Sequence, residues 1–584
     1  MVQLFAAVSA FGAAACGGSS NTGTGPTGPT GTGFKVNPCS VGGTLQLAVA
    51  QAARVDCSNG GTTVTVAGNG ASYLIVPEFP TDQAQNTPVT YSLAAGEAAA
   101  ASRGPAASLG LPGAPSTTER LRPANLRQQS FDAAMRSRAA RMVSSGAFQR
   151  ASAQYRASFS RTVAPPPVGS TRSFRVLSSI QNSNYQWKTV GAQLVYAGAN
   201  VLLYIDTLAP AGGFTASQLQ QFGQYFDGTL YPIDTTDFGQ PSDVDNNGHV
   251  IMLMSPVVNG LSPSAQCSTQ GFVAGFFDQE DFAGPTDPNS NQGEIFYSIV
   301  PDPNGSASCV HTVSDVEFDI PATFLHELQH LINFSQHVIV HNGPAETGWL
   351  DEGLSIIAEE AGAVHYEQKC PPPSCRTDPS QIFPDSAESF VQGFLYDSYQ
   401  YALLPDTASV TLHSDSDNGF SWRGGDWLLM RYLGDQTNNG VFRKLEDTYA
   451  TGVANIEAAM GTPFPTLFSD FGLALYTDSL PGLPRNTAPA VDRFVTRNMP
   501  QLWARLYVTS GPSADVPYPA PVRLFSITAD TSSSLMSPGT TAYYRLDTPQ
   551  TAATVTIQFS APGAHALPTA LHPQLAIFRL PPGQ

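Results

Sequence analysis

The spacing of apolar residues changes after Asp315, and that change fixes what the middle of the chain can fold into. Upstream, "TRSFRVLSS", "KTVGAQLVYAG", "NVLLYID", "VIMLM" and "GEIFYSIVP" read as strands, with one helix, "TASQLQQFGQYFDGTLYPI", among them. Downstream, "DIPATFLHELQHLINFSQ" repeats near 3.6 residues and sets Phe324, Leu328 and Leu331 in one stripe. Asp319 reads as the N-cap of this helix and Pro321 as a first-turn residue. Gly343-Pro344 breaks the chain. "WLDEGLSIIAEEAGAV" then reads as a second helix, and more follow between residues 386 and 480. Strands followed by helices predict an α+β domain, a mixed sheet with a helical subdomain, over residues 171–485.

Short strands dominate at both ends. "TLQLAVA", "TTVTVAG", "SYLIVPEF" and "PVTYSLAA" predict a small β-sandwich over residues 34–98. "QLWARLYVT", "PVRLFSITAD", "AYYRLDTP", "ATVTIQFSA" and "QLAIFRLP" predict a second, C-terminal β-domain over 486–584. A length of 584 residues accommodates several cores. The chain is therefore expected to be multidomain α+β, its central domain flanked by N- and C-terminal β-sandwich domains.

Charge narrows the partners. A net charge of −18 argues against nucleic-acid binding. Residues 99–170 run the other way: ten arginines between Arg103 and Arg161 face only Glu119 and Asp132, a net of +8. This basic, helix-prone segment reads either as a linker or as an inhibitory prosegment docking on an acidic catalytic domain. Ahead of it, "MVQLFAAVSAFGAAAC" looks like a bacterial lipoprotein signal ending at Cys16 (residues 1–16), and 17–33 form a Gly/Thr/Pro tether. The apolar stretch is too short to span a bilayer, so membrane contact is expected through a lipid anchor only. The expected place is the bacterial cell surface or outer membrane, with secretion as the alternative, and the expected state is a monomer. The other six cysteines pair by proximity as Cys39–Cys57, Cys267–Cys309 and Cys370–Cys375, which suits an oxidising compartment.

The chemistry concentrates in "HELQH". His326 and His330 stand four apart, on one face of a helix, where two imidazoles can grip one zinc ion. Glu327, about 100° round, cannot share that grip but can serve as general base. A third protein ligand is needed. The HxxGxxH continuation fails, because Asn333 and Gln336 occupy its Gly and His positions and His337 is out of register. A Glu on the next helix is the alternative: Glu352, 22 residues after His330, or Glu359 two turns later on the same face. Upstream, Asp243, Asp245 and Asn247 alternate before Gly248, the first half of a calcium loop whose twelfth position holds Met254 instead of Glu. Calcium there would need ligands from elsewhere. His413, Tyr399 and Tyr432 are candidates for stabilising an oxyanion, each with a structural role as the ordinary reading.

"TRSFRVL", "SDVDNNGHVIML", "GFFDQEDF…GEIFY", "HELQHLINF", "WLDEGLSIIAEE" and "DWLLMRYLGD" occur in an order that resembles the hyicolysin family of bacterial neutral metallopeptidases, of the HExxH…E gluzincin type, over about residues 170–480. W-L-x-E-G resembles the gluzincin third-ligand context and favours Glu352. Ile356 stands where thermolysin-like members carry Asp, so the likeness is not to that branch. The resemblance implies His326, His330 and Glu352 as zinc ligands and Glu327 as base. It leaves the substrate unstated, and the expected function is a zinc-dependent endopeptidase acting on extracellular proteins or peptides with a zinc-bound water as nucleophile. The alternative function is a surface binding or adhesion protein with an inactive peptidase-like centre.

Overall fold

The structure is a computed structural model. It describes residues 36–39, 43–83, 87–96, 126–150, 152–153, 163–370, 383, 385–413, 419–483, 485, 488–527 and 532–584. The signal, Cys16 and the tether lie outside the described residues, as does Cys375. The α+β architecture is present, with both helices and mixed sheets.

The central sheet runs in the order β11-β12-β10-β9-β8-β7. Its strands are β7 (Thr171–Gln181), β8 (Asn184–Ala197), β9 (Val201–Asp206), β10 (Val250–Met254), β11 (Gly275–Phe277) and β12 (Ile295–Ser298). β9, β10 and β12 are parallel, while β11 closes one edge antiparallel to β12. All five residues of β10 are buried, as a strand covered on both faces requires.

α3 (Val313–Phe334) packs on β11 and β12 of this sheet, α4 (Gly348–Lys369) packs on α3, and α5 (Glu388–Leu403) and α6 (Gly419–Thr437) pack on α4 and on each other. Phe324 of α3 meets Phe296 of β12 edge-on at 5.5 Å. Phe324, Leu328 and Leu331 are fully buried, as their stripe predicts. The start of α3 differs from the expectation. Thr312 caps it, closing a capping box with Asp315, so Asp319 and Pro321 lie well inside the helix. Buried Val316 and Ile320 extend the apolar face upstream and carry the helix past the proline. Gly353 lets α4 approach α6: a Cβ there would stand 3.0 Å from the Asp426 carbonyl oxygen.

The two terminal β-regions are not separate domains. β3 (Ala52–Asp56), β5 (Ser72–Glu78), β15 (Tyr544–Asp547) and β17 (Gln574–Arg579) share one sheet, in which β17 lies between β3 and β5. β4 (Thr63–Ala67), β6 (Val89–Ala95), β14 (Ser532–Met536) and β16 (Thr554–Ser560) share the other. The result is one sandwich woven from both ends of the chain. Period two explains its placement. Tyr73, Ile75, Leu575 and Ile577 face the sandwich core, while Leu74, Val76, Ala576 and Phe578 join the core of the helical region. "QLWARLYVT" is also corrected: it lies in α8 (Met499–Ser510), started by Asn498, whose side chain accepts from the Gln501 N–H.

The pairs Cys39–Cys57 and Cys267–Cys309 form as expected. Cys370 is disulfide-bonded. Among the described residues no helix is long and apolar enough to cross a membrane.

Candidate metal centre

α3 and α4 cross so that His326, His330 and Glu352 meet, all buried. The Nε2 atoms of the two imidazoles are 3.1 Å apart. Glu352 Oε1 lies 3.4 Å from His330 Nε2, and Oε2 lies 3.8 Å from His326 Nε2. Ligands held about 2.0–2.1 Å from a tetrahedral zinc ion sit about 3.3–3.4 Å from one another. The three observed edges bracket that value, so the donor set fits zinc in size as well as in kind.

A carboxyl group stands behind each imidazole, hydrogen-bonded in the case of His326. His326 Nδ1 lies 2.7 Å from Glu359 Oε1, and His330 Nδ1 lies 2.9 Å from Asp351 Oδ1. A carboxylate at Nδ1 favours the tautomer whose Nε2 lone pair points at the metal. Glu359, the fallback ligand, thus takes a supporting place. Burial, the neighbouring His330, and Arg423 and Arg136 hold His326 well below the usual imidazole value, which keeps it neutral and available as a ligand.

Glu327 has a carboxylate oxygen within 4.8 Å of a ring nitrogen of His326 and reaches the edge of the sheet. Its Oε2 accepts the Phe277 N–H of β11 at 2.9 Å. Burial and the adjacent Asp132 carboxylate push its pKa well above the usual range, with the Phe277 N–H and Arg136 opposing. Glu352 is gripped by two guanidiniums, Arg423 of α6 and Arg136 of α1 (Leu126–Ser144). Spacing alone revealed neither arginine. Asp351 carried a signal, since it stands beside Glu352 in "WLDEG", but its role depends on where α4 crosses α3.

His337, one residue out of the rejected register, is turned away, with Nε2 3.0 Å from the Leu445 carbonyl oxygen. The oxyanion candidates are engaged elsewhere. Tyr399 donates to the Tyr518 carbonyl, Tyr432 donates to the Val491 carbonyl, and His413 stacks on Trp422 at 4.0 Å.

The upstream loop is also completed from elsewhere. Carboxylate oxygens of Asp243, Asp245 and Glu294 lie within 4.8 Å of one another. Glu294 precedes β12 and is 1 % exposed. Asn247 is engaged within the loop: its Nδ2 donates to Asp245 Oδ2 at 2.7 Å and its Oδ1 accepts the His249 N–H at 2.6 Å. Met254 is buried in β10.

The chain is similar to the neutral metalloprotease ShpI of Staphylococcus hyicus, 26 % identical over 196 residues. The match spans 33 % of this chain and 40 % of that protein. No family model matches the chain. The likeness supports a metallopeptidase relationship and, with the His-His-Glu cluster, a metal at this centre.

Proposed function

We propose that the protein is a zinc-dependent endopeptidase acting on extracellular proteins or peptides, in the manner of hyicolysin-like gluzincins. The convergence of His326, His330 and Glu352, with a carboxylate behind each imidazole, carries this reading. Bound zinc would supply Lewis acidity toward the scissile carbonyl and an acidified water. The chain's own residues do the rest. Phe277 holds Glu327 by Oε2, leaving Oε1 to take the proton of the attacking water and pass it to the leaving amine. β11, which among the described residues pairs with β12 alone, offers main-chain groups along which an extended peptide can lie. Arg423 and Asp351 keep the ligands in register.

The disulfides favour an extracytoplasmic setting. The lipid anchor at Cys16 completes the proposal, and incorporation of labelled fatty acid that is lost on Cys16→Ser would test it. For the activity itself, the test is casein cleavage by the purified, zinc-loaded protein. Cleavage abolished by a chelator and restored by zinc is expected. Stoichiometric zinc without cleavage of casein or of unstructured peptides would instead favour an inactive, binding-only centre.

A further inference from the structure

The cleft of this centre is already filled by the chain itself. Gln128, Asp132 and Arg136 stand four apart on α1, and so along one face. Each meets a different part of the machinery. The Gln128 side-chain amide accepts the Ala274 N–H at 2.8 Å and donates to the Gly275 carbonyl at 2.9 Å. It thereby takes main-chain groups at the free edge of β11. Asp132, one turn on, has a carboxylate oxygen within 4.8 Å of ligand atoms of both His326 and Glu327. Arg136, a further turn on, grips Glu352. Arg138 anchors the helix: its Nη1 lies 2.9 Å from Asp278 Oδ1, its Nη2 meets Glu280, and its guanidinium lies 4.8 Å from the Trp187 ring. Phe131 packs on Phe276 of β11 at 5.1 Å. The space left between α1, β11 and α3 is about 130 Å³, well under the roughly 300 Å³ at the small end of ligand pockets.

We propose that α1 is an internal inhibitory strap that keeps the centre latent. Asp132 fills the space beside His326 and Glu327 that water and the scissile bond would need, and Gln128 takes the edge-strand groups a substrate backbone would use. The proposal rests on the peptidase reading above. It also chooses between the two sequence readings of residues 99–170, linker or prosegment. The topology adds a constraint. β3 to β6 are paired into the sandwich with β14 to β17, so one cut after α1 would leave it tethered to the sandwich, not shed. The exposed stretch 163–169 is where such a cut is accessible.

The test compares the full zinc-loaded chain with Asp132→Asn and with the triple variant Gln128→Ala/Asp132→Ala/Arg138→Ala. Two readouts are taken: affinity for a hydroxamate-capped dipeptide by calorimetry, and cleavage of an unstructured fluorogenic peptide. At least tenfold tighter hydroxamate binding and tenfold faster cleavage in the triple variant are expected, with zinc content unchanged and Asp132→Asn moving the same way. Should the variants misfold, the wild-type chain carrying a viral-protease site within 163–169 gives the same comparison before and after cutting. Equal hydroxamate affinity in every zinc-loaded form would overturn the strap and leave the peptidase reading standing. Chains that hold no zinc in any form would overturn both.

A second observation stands independently. Glu294 Oε1 is committed to the Ser242 hydroxyl at 2.7 Å and the Val244 N–H at 3.0 Å. Among the described residues its Oε2, buried beside Asp243 and Asp245, has no hydrogen-bond partner. A buried carboxylate oxygen without a donor asks for a cation. The geometry points to a calcium site in which Glu294 supplies the ligand that the loop lacks at Met254. Calorimetric titration of the zinc-loaded chain with calcium chloride should show one site, weakened at least tenfold in Glu294→Gln, with magnesium bound less tightly. No calcium uptake, or equal affinity in Glu294→Gln, would overturn the assignment.

Discussion

The two acid-bearing centres, His326–His330–Glu352 and Asp243–Asp245–Glu294, are built the same way and are suited to different work. Each begins as a short local motif and is completed by a glutamate from a distant segment. The first pairs two nitrogen donors with one oxygen, has a carboxylate behind each ring, and stands beside a glutamate free to move a proton. That combination suits zinc and hydrolysis. The second offers oxygens alone beneath a tight turn at Gly248, whose φ is 70° and whose N–H donates to Asp243 at 3.1 Å. Hard oxygens around a closed loop suit a structural cation. The difference teaches that a ligand set alone does not make a catalyst. The reacting position has to be reachable, and a base has to stand beside it.

The sharpest way to break this contrast is to remove a ligand from the first centre. His330→Ala should abolish both zinc retention and peptidase activity while calcium binding survives, as metal analysis and calorimetry can show. Supporting carboxylates should matter less. Glu359→Gln or Asp351→Asn should weaken zinc by roughly 10–100-fold in chelator competition. Unchanged affinity would mean that the rings are held by packing alone. At the second centre, calcium should raise the melting temperature of the wild type by a few degrees and leave Glu294→Gln unmoved, with peptidase activity at saturating zinc little altered.

The smallest effect is expected outside both centres. Asp492 is 1 % exposed, and burial raises its carboxyl from 3.8 to about 6, with Arg54 opposing and Asp470 adding. The folded value exceeds the unfolded one, so the native state holds the extra proton between them. Its contribution to stability is full below about 3.8 and is lost as pH rises through about 6. Asp492→Asn should flatten that slope and stabilise the protein at pH 8, by on the order of 3 kcal/mol at most, in urea unfolding across pH. A slope equal to that of the wild type would place the acid-side dependence elsewhere.

What was legible in the sequence divides along the same line. The stripe of Phe324, Leu328 and Leu331 and the shared face of His326 and His330 are written in local spacing, Glu352 was marked by the resemblance of W-L-x-E-G, and the structure brings the two histidines and Glu352 together. The capping box at Thr312 was also local, but Pro321 drew attention to a later start. The weave of the sandwich was not local at all. Ile75 pairs with Ile577 across some five hundred residues, and nothing in either strand names the other. The roles of Glu359 and Glu294 share this limit. Glu359 stood as a spare ligand and Glu294 carried no signal of its own until the crossing of elements set their neighbours. In α1, the spacing of Gln128, Asp132 and Arg136 was visible, but what that face would meet was not.

The central claim is that Glu327 moves the proton at a zinc ion held by His326, His330 and Glu352. It is tested most directly by measuring zinc content and kcat/KM side by side for the wild type and Glu327→Gln. One zinc per chain in both, with kcat/KM lowered by roughly 10²–10⁴ in the variant, is the expected result. One zinc per chain with near-normal cleavage by Glu327→Gln would contradict it.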